Sequence, residues 1–199
     1  DGSLDVLRIL SRASSVIAEG EVHQLITAND TDTTEQDYLE VIEAKTATLF
    51  AAATEIGAVV AERPEEERAA LISFGLNIGM AFQLIDDVLD YSARQATLGK
   101  SVGDDFRDGK ITLPIVLAFR HGDEEARAFW RRTLEDLEQK KGDLKRAVQM
   151  LESAGALRAT MERAREYSQK ALDALSIFPD SEHKQALQEA AAFAVDRSY

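Results

Sequence analysis

Apolar residues recur at three- and four-residue spacing along most of the chain, and no segment sustains the two-residue alternation of Val, Ile and Thr that marks a strand. This pattern predicts an all-α protein. A first helix is expected over residues 3–26, with Leu7, Leu10, Ala13, Ile17 and Leu25 as its apolar stripe. The polar run TANDTD at 27–32 reads as a turn. Thr33 or Thr34 then caps a helix that runs to about Ala61. Pro64 suits the first turn of the next helix, where a missing N–H costs nothing. That third helix spans about 65–91 and is apolar on most sides from Ala69 to Leu89, as expected of a helix at the centre of a fold.

Residues 96–109 contain Gly99, Gly103 and Gly109 and read as a loop. Helical pattern resumes near Thr112 and stops at His121 and Gly122. Asp123 caps a helix expected to end near Lys141 and Gly142. Further helices are expected over 144–153, 156–175 and 181–197. Long helices joined by short turns predict a mostly antiparallel bundle. No repeat or internal boundary is visible, so residues 1–199 read as one helical domain.

The central helix carries an unusual set of charges. In the run FQLIDDVLDY, Asp86 and Asp90 are one turn apart, about 6 Å along the axis, and Asp87 and Asp90 are i and i+3. Phe82, Leu84, Ile85, Val88 and Leu89 surround them with apolar side chains. Carboxylates grouped on such a helix repel one another, favour helix poorly and lose hydration. Their place near a helix C-terminus adds an unfavourable interaction with the macrodipole. A hard divalent cation removes these costs. Magnesium takes one or two carboxylates, several waters and phosphate oxygens. Asp86, Asp87 and Asp90 are therefore candidate metal-binding residues for Mg2+.

Charge makes the same demand. The chain has 23 Lys and Arg against 36 Asp and Glu, a net charge of -13. Such a chain repels nucleic acid and free diphosphate alike, so a phosphorylated ligand needs local cations. Lys100 and Lys110 bracket the glycine-containing loop after the acidic helix and can grip a metal-bridged diphosphate. The absence of cysteine excludes thiol catalysis, disulfides and Cys-ligated metal. No stretch approaches the run of roughly 20 apolar residues expected of a membrane span, and a cytoplasmic location is the simplest expectation. His23, His121 and His183 lack a Glu at i−3, so the chain does not carry the Glu-x-x-His pairs of a di-iron bundle.

Taken with their spacing, these segments resemble the trans-isoprenyl (polyprenyl) diphosphate synthases. The runs GMAFQLIDDVLDY and LGKSVGDDFRDGKITLP are similar to that family's second aspartate-rich region. Upstream, Glu19–Glu21 with Gln24 and Leu25, and the run KTATLF beginning at Lys45, are similar to two more of its segments. The ending Asp196-Arg197-Ser198-Tyr199 looks most like the long-chain octaprenyl and decaprenyl branch.

The resemblance implies the isoprenoid-synthase bundle. It also implies condensation of an allylic prenyl diphosphate with isopentenyl diphosphate, a Mg2+ requirement and a homodimer. By the same resemblance Asp86 and Asp87 coordinate magnesium with Asp90 nearby, and Lys45, Lys100 and Lys110 hold diphosphate. Thr46 and Gln83 lie beside the reacting carbons, and Asp105 matches a loop aspartate.

The family's first aspartate-rich motif has no match here; Asp30, Asp32, Asp104 and Asp105 lie on expected loops. The chain, which begins inside helical pattern, is thus expected to be the C-terminal portion of such a synthase, an incomplete bundle that is inactive alone. A shorter-chain synthase and a non-catalytic subunit are the alternatives. A class I terpene synthase is disfavoured by the lack of an NSE-type motif.

Overall fold

A computed structural model of the chain describes residues 2–92 and 103–196, which form ten α-helices and no strand. Helix α1 (Leu4–Thr27) starts at Ser3, whose hydroxyl accepts the Val6 N–H. Helix α2 (Glu35–Ile42) starts with a reciprocal capping box between Thr34 and Asp37. It continues without a break through a π-helical turn, Glu43–Ala47, into α3 (Thr48–Val60). Pro64 precedes α4 (Glu65–Asp90), the longest helix described.

After α4 come a single turn, α5 (Asp104–Arg107), then α6 (Leu113–His121) and α7 (Glu124–Trp130), the last capped by Asp123. Helices α8 (Asp143–Ser153), α9 (Ala156–Ala174) and α10 (Glu182–Asp196) complete the bundle.

Helix α4 is central because α3 and α9 pack along it and α10 covers part of its length. Its Leu84 and Ile85 join Leu113, Ile115, Trp130, Leu134 and Leu151 in the main core. A smaller cluster around Phe74, Ile78, Leu175 and Ala191 seals its first half. By length and composition α4 could cross a membrane, contrary to the sequence expectation; in the fold its apolar sides meet α3 and α9.

Two glycines set how closely helices approach α4. A Cβ at Gly79 would lie 2.6 Å from the Ala47 Cα, and one at Gly75 would lie 2.5 Å from the Phe50 carbonyl oxygen. Four residues apart, they form a smooth strip against the π turn and α3.

Three local expectations fail. Most of the stripe drawn on α1 faces outward, with Leu7 61% and Leu25 76% exposed; of its members only Ala13 is buried, packed with Ile9 against α3, while Gly20 meets the π turn. Small side chains permit close packing there, which hydrophobicity alone does not reveal. The loop expected at 96–109 contains α5. The helix expected to reach Lys141 leaves α-geometry at a second π turn, Arg131–Glu135, and stops. Leu137 is then left-handed (φ 54°), and Gln139 folds back so that its amide donates to the Phe106 carbonyl at 2.7 Å. Tertiary contact with α5 overrides the helix propensity of that run.

Candidate active site

The end of α4 faces α1, α2 and the π turn across a cavity of about 210 Å³. The π turn forms its wall. A π turn inserts an extra residue into a helix and re-aims the neighbouring side chains. Here it is held between two glycines. Gly79 supports it from α4, and Gly20 from α1, where a Cβ would sit 2.9 Å from the Lys45 backbone nitrogen. The result turns Lys45 and Thr46 into the cavity, opposite Gln83, Asp86 and Asp87.

A directed chain of hydrogen bonds crosses this wall. Thr46 Oγ1 donates to Gln83 Oε1 at 2.9 Å, and Gln83 Nε2 donates to Asp87 Oδ1 at 2.8 Å. Tyr38 OH donates to the other oxygen, Asp87 Oδ2, at 2.6 Å. Both Asp87 oxygens therefore have internal donors, and the carboxylate plane is set from α2 and α4 together. Asp87 is 3% exposed. Burial pushes its carboxyl up to about 7, helped by the charges of Asp105 and Asp86 and opposed by the Tyr38 and Gln83 hydrogen bonds. Asp86, one position along, is only partly buried and lines the same cavity.

The cations come from the π turn and from the segment after α5. Lys45 Nζ donates to Gln24 Oε1 at 2.6 Å and pairs with Glu21 at 3.2 Å. Lys110 Nζ donates to Asp105 Oδ1 at 2.6 Å. Burial lowers the Lys110 pKa, but the Asp105 hydrogen bond and the charges of Asp105, Asp108 and Asp87 outweigh it, so the net shift is upward. Lys110 is fixed from behind as well, since Asn29 donates from its backbone N–H to the Gly109 carbonyl at 3.2 Å. Its side-chain amide reaches the Leu134 carbonyl at 2.7 Å.

The structure thus brings Lys45, Thr46, Gln83, Asp86, Asp87 and Lys110 to one cavity. Lys100 lies outside the described residues. Asp90, grouped with the other two aspartates in the sequence reading, does not line the cavity; it is 5% exposed and turned toward the backbone of α5. Burial, first, and the charge of Asp105 raise its pKa.

Tyr38 is the residue the sequence reading missed. It lies seven positions before Lys45 and four before Ile42, and i, i+4, i+7 spacing on one helix face was the available signal.

A hard cation fits this donor set only in part. Asp86 and Asp87 offer neighbouring carboxylate oxygens, but among the described residues no three acidic or imidazole side chains converge to hold an ion alone. The remaining positions would fall to water and to ligand oxygens, as is usual for Mg2+.

A family model for polyprenyl synthetase matches residues 2–151. The chain belongs to the polyprenyl synthetase family. Within it, the octaprenyl diphosphate synthase of Haemophilus influenzae is 45% identical over 197 residues, covering 99% of this chain and 60% of that protein. The crystal structure of a decaprenyl diphosphate synthase from Rhodobacter capsulatus superposes with a TM-score of 0.94 at 44% identity, covering 100% of this chain and 61% of the other. A polyprenyl synthase from Caulobacter crescentus, solved with calcium and isoprenyl diphosphate, gives 0.95 at 48% identity, covering 99% and 60%. The chain spans about 60% of the length of these curated relatives. It has the all-α fold of those neighbours.

Proposed function

We propose that the protein elongates an allylic prenyl diphosphate with isopentenyl diphosphate to give a long-chain all-trans polyprenyl diphosphate. The observation that carries this reading is the meeting of Asp86 and Asp87 with Lys45 and Lys110 around one cavity. In a chain of net charge -13 that is where a diphosphate finds both ammonium groups and acids able to bridge to it through a cation. The long-chain product is supported by the octaprenyl and decaprenyl synthases among the relatives.

Each side chain has a definite task in this reaction. Lys45 and Lys110 bind phosphate oxygens, with Lys100 as a third ammonium group. Asp86 and Asp87 would hold Mg2+, which when bound would neutralise charge building on the leaving diphosphate. As the allylic C–O bond breaks, the electron pair leaves with the diphosphate and positive charge develops on carbon. The Thr46 hydroxyl and Gln83 amide carbonyl, fixed relative to each other by their 2.9 Å hydrogen bond, present oxygen dipoles to that charge. The double bond of isopentenyl diphosphate then attacks the carbon, and a proton is lost from the adduct. A homodimer completes the reading on the strength of the family resemblance, and a cytoplasmic location on the lack of cysteine, which suits a reducing compartment.

The test is elongation by the intact protein with isopentenyl diphosphate, an allylic primer and Mg2+, followed by chromatography of the products. Linear octaprenyl to decaprenyl products are expected. Cyclic hydrocarbons, or primer returned unextended, would refute the proposal.

A further inference from the structure

Asp90 is separated from Asp86 by one helical turn, yet its polar atoms are committed elsewhere. Its backbone carbonyl accepts the Gly103 N–H at 2.8 Å. Its two carboxylate oxygens accept successive N–H groups, Oδ1 from Asp104 at 3.2 Å and Oδ2 from Asp105 at 3.0 Å. Those are the first two amides of α5, which has no side-chain cap of its own because Gly103 occupies the cap position. Asp90 is thus a cap supplied from 14 residues upstream.

The arrangement explains why an acid is tolerated there. At the C-terminus of α4 its charge faces an unfavourable dipole, whereas at the start of α5 it accepts two N–H groups of a helix N-terminus.

What the cap holds leads to the cavity. The Asp105 backbone is pinned by Asp90, and the Asp105 side chain pins Lys110, Oδ1 to Nζ at 2.6 Å. The Lys110 backbone N–H also donates to the Asp105 carbonyl at 2.9 Å. Gly103 admits the turn: its φ of 81° suits glycine, and a Cβ there would strike Leu144. The chain of contacts runs Asp90, Asp105, Lys110.

We infer that Asp90 is a positioning residue, a clasp that sets the loop carrying Asp105 and Lys110, and not a member of the metal-holding wall. The clasp goes beyond the proposed function and stands on geometry alone; only its effect on substrate affinity rests on that function.

The experiment compares the intact wild-type protein with Asp90→Asn, Asp90→Ala and Asp86→Asn. The first arm is amide hydrogen exchange without Mg2+. The Asp104 and Asp105 amides should exchange at least about tenfold faster in Asp90→Ala. Asp90→Asn, which keeps one acceptor oxygen and the shape, should fall between it and wild type. Asp86→Asn should leave both amides protected.

The second arm is kinetic. Asp90→Asn should raise KM for the allylic diphosphate while moving the half-saturating Mg2+ concentration by less than about twofold, and Asp86→Asn should move that concentration at least about tenfold. Unchanged protection in both Asp90 variants would overturn the clasp. So would an Asp90→Asn protein as impaired as Asp90→Ala with its Mg2+ dependence displaced as far as that of Asp86→Asn. If exchange behaves as expected while no variant alters turnover, the clasp stands and the proposed function fails.

Discussion

Tyr38 and Asp87 meet across the interior of the bundle, the phenol on α2 donating to Asp87 Oδ2 at 2.6 Å with both side chains almost wholly buried. A hydrogen bond to a buried carboxylate contributes about 1.5–3 kcal/mol when the acid is ionised, and less when it is neutral. Tyr38→Phe keeps the ring and removes the donor. It should therefore lower stability by about 1–3 kcal/mol at pH 8.5 and by clearly less at pH 5, as measured by urea unfolding without metal. Equal losses at both values would mean that the pair does not carry the ionised carboxylate.

Asp87 itself should make stability fall with rising pH. Its folded pKa is about 7 against an ordinary value of 3.8. Between those values the folded state holds a proton that the unfolded state has lost, so unfolding becomes easier as pH rises from about 4 to 7 and levels off above. Asp87→Asn removes this dependence. Relative to wild type, the metal-free variant should gain on the order of 3 kcal/mol between pH 4 and pH 8, before any loss from its changed hydrogen bonding. Parallel stability curves for the two proteins over that range would contradict the assignment.

Gly79 should matter more than its size implies. Replacing it with Ala places a Cβ 2.6 Å from the Ala47 Cα, so α4 or the π turn must move. The expected cost is about 1–3 kcal/mol from overpacking, with loss of the Thr46–Gln83 hydrogen bond as the walls separate. Gly57→Ala is the matched control, because nothing lies within 4 Å of its Cβ position in α3. That change should stabilise by about 0.5–1 kcal/mol. Thermal melts of both variants decide the point; a Gly79→Ala protein at least as stable as wild type would show that the close approach is not required.

Much of this was legible from residue patterns, and the exceptions share a cause. The limits of α1, α4, α6, α8, α9 and α10 follow from periodicity and caps, because local chemistry determines where those helices begin and end. Asp86, Asp87 and Lys110 were candidates from their spacing and Lys45, Thr46 and Gln83 from the family resemblance, and the fold brings all six to one cavity. What periodicity could not express was direction. The outward face of α1 and the early stop of the helix before Leu137 depend on close approach and on tertiary hydrogen bonds such as Gln139 to Phe106. Asp90 is the sharpest case. Helical spacing puts it beside Asp86, but two amides 14 and 15 residues further along turn its carboxylate away. Tyr38 escaped notice because a phenol on an apolar helix face ordinarily belongs to the core.

Asp86, open to the cavity beside the internally held Asp87, is the residue we propose to bind the cation that secures a diphosphate. The most direct measurement is calorimetric titration of Mg2+ into the intact protein with saturating inorganic pyrophosphate, for wild type and Asp86→Asn. Coupled uptake by wild type is expected, with at least about tenfold weaker Mg2+ binding by the variant, a loss of roughly 1.4 kcal/mol or more. The same Mg2+ affinity in both proteins would contradict it.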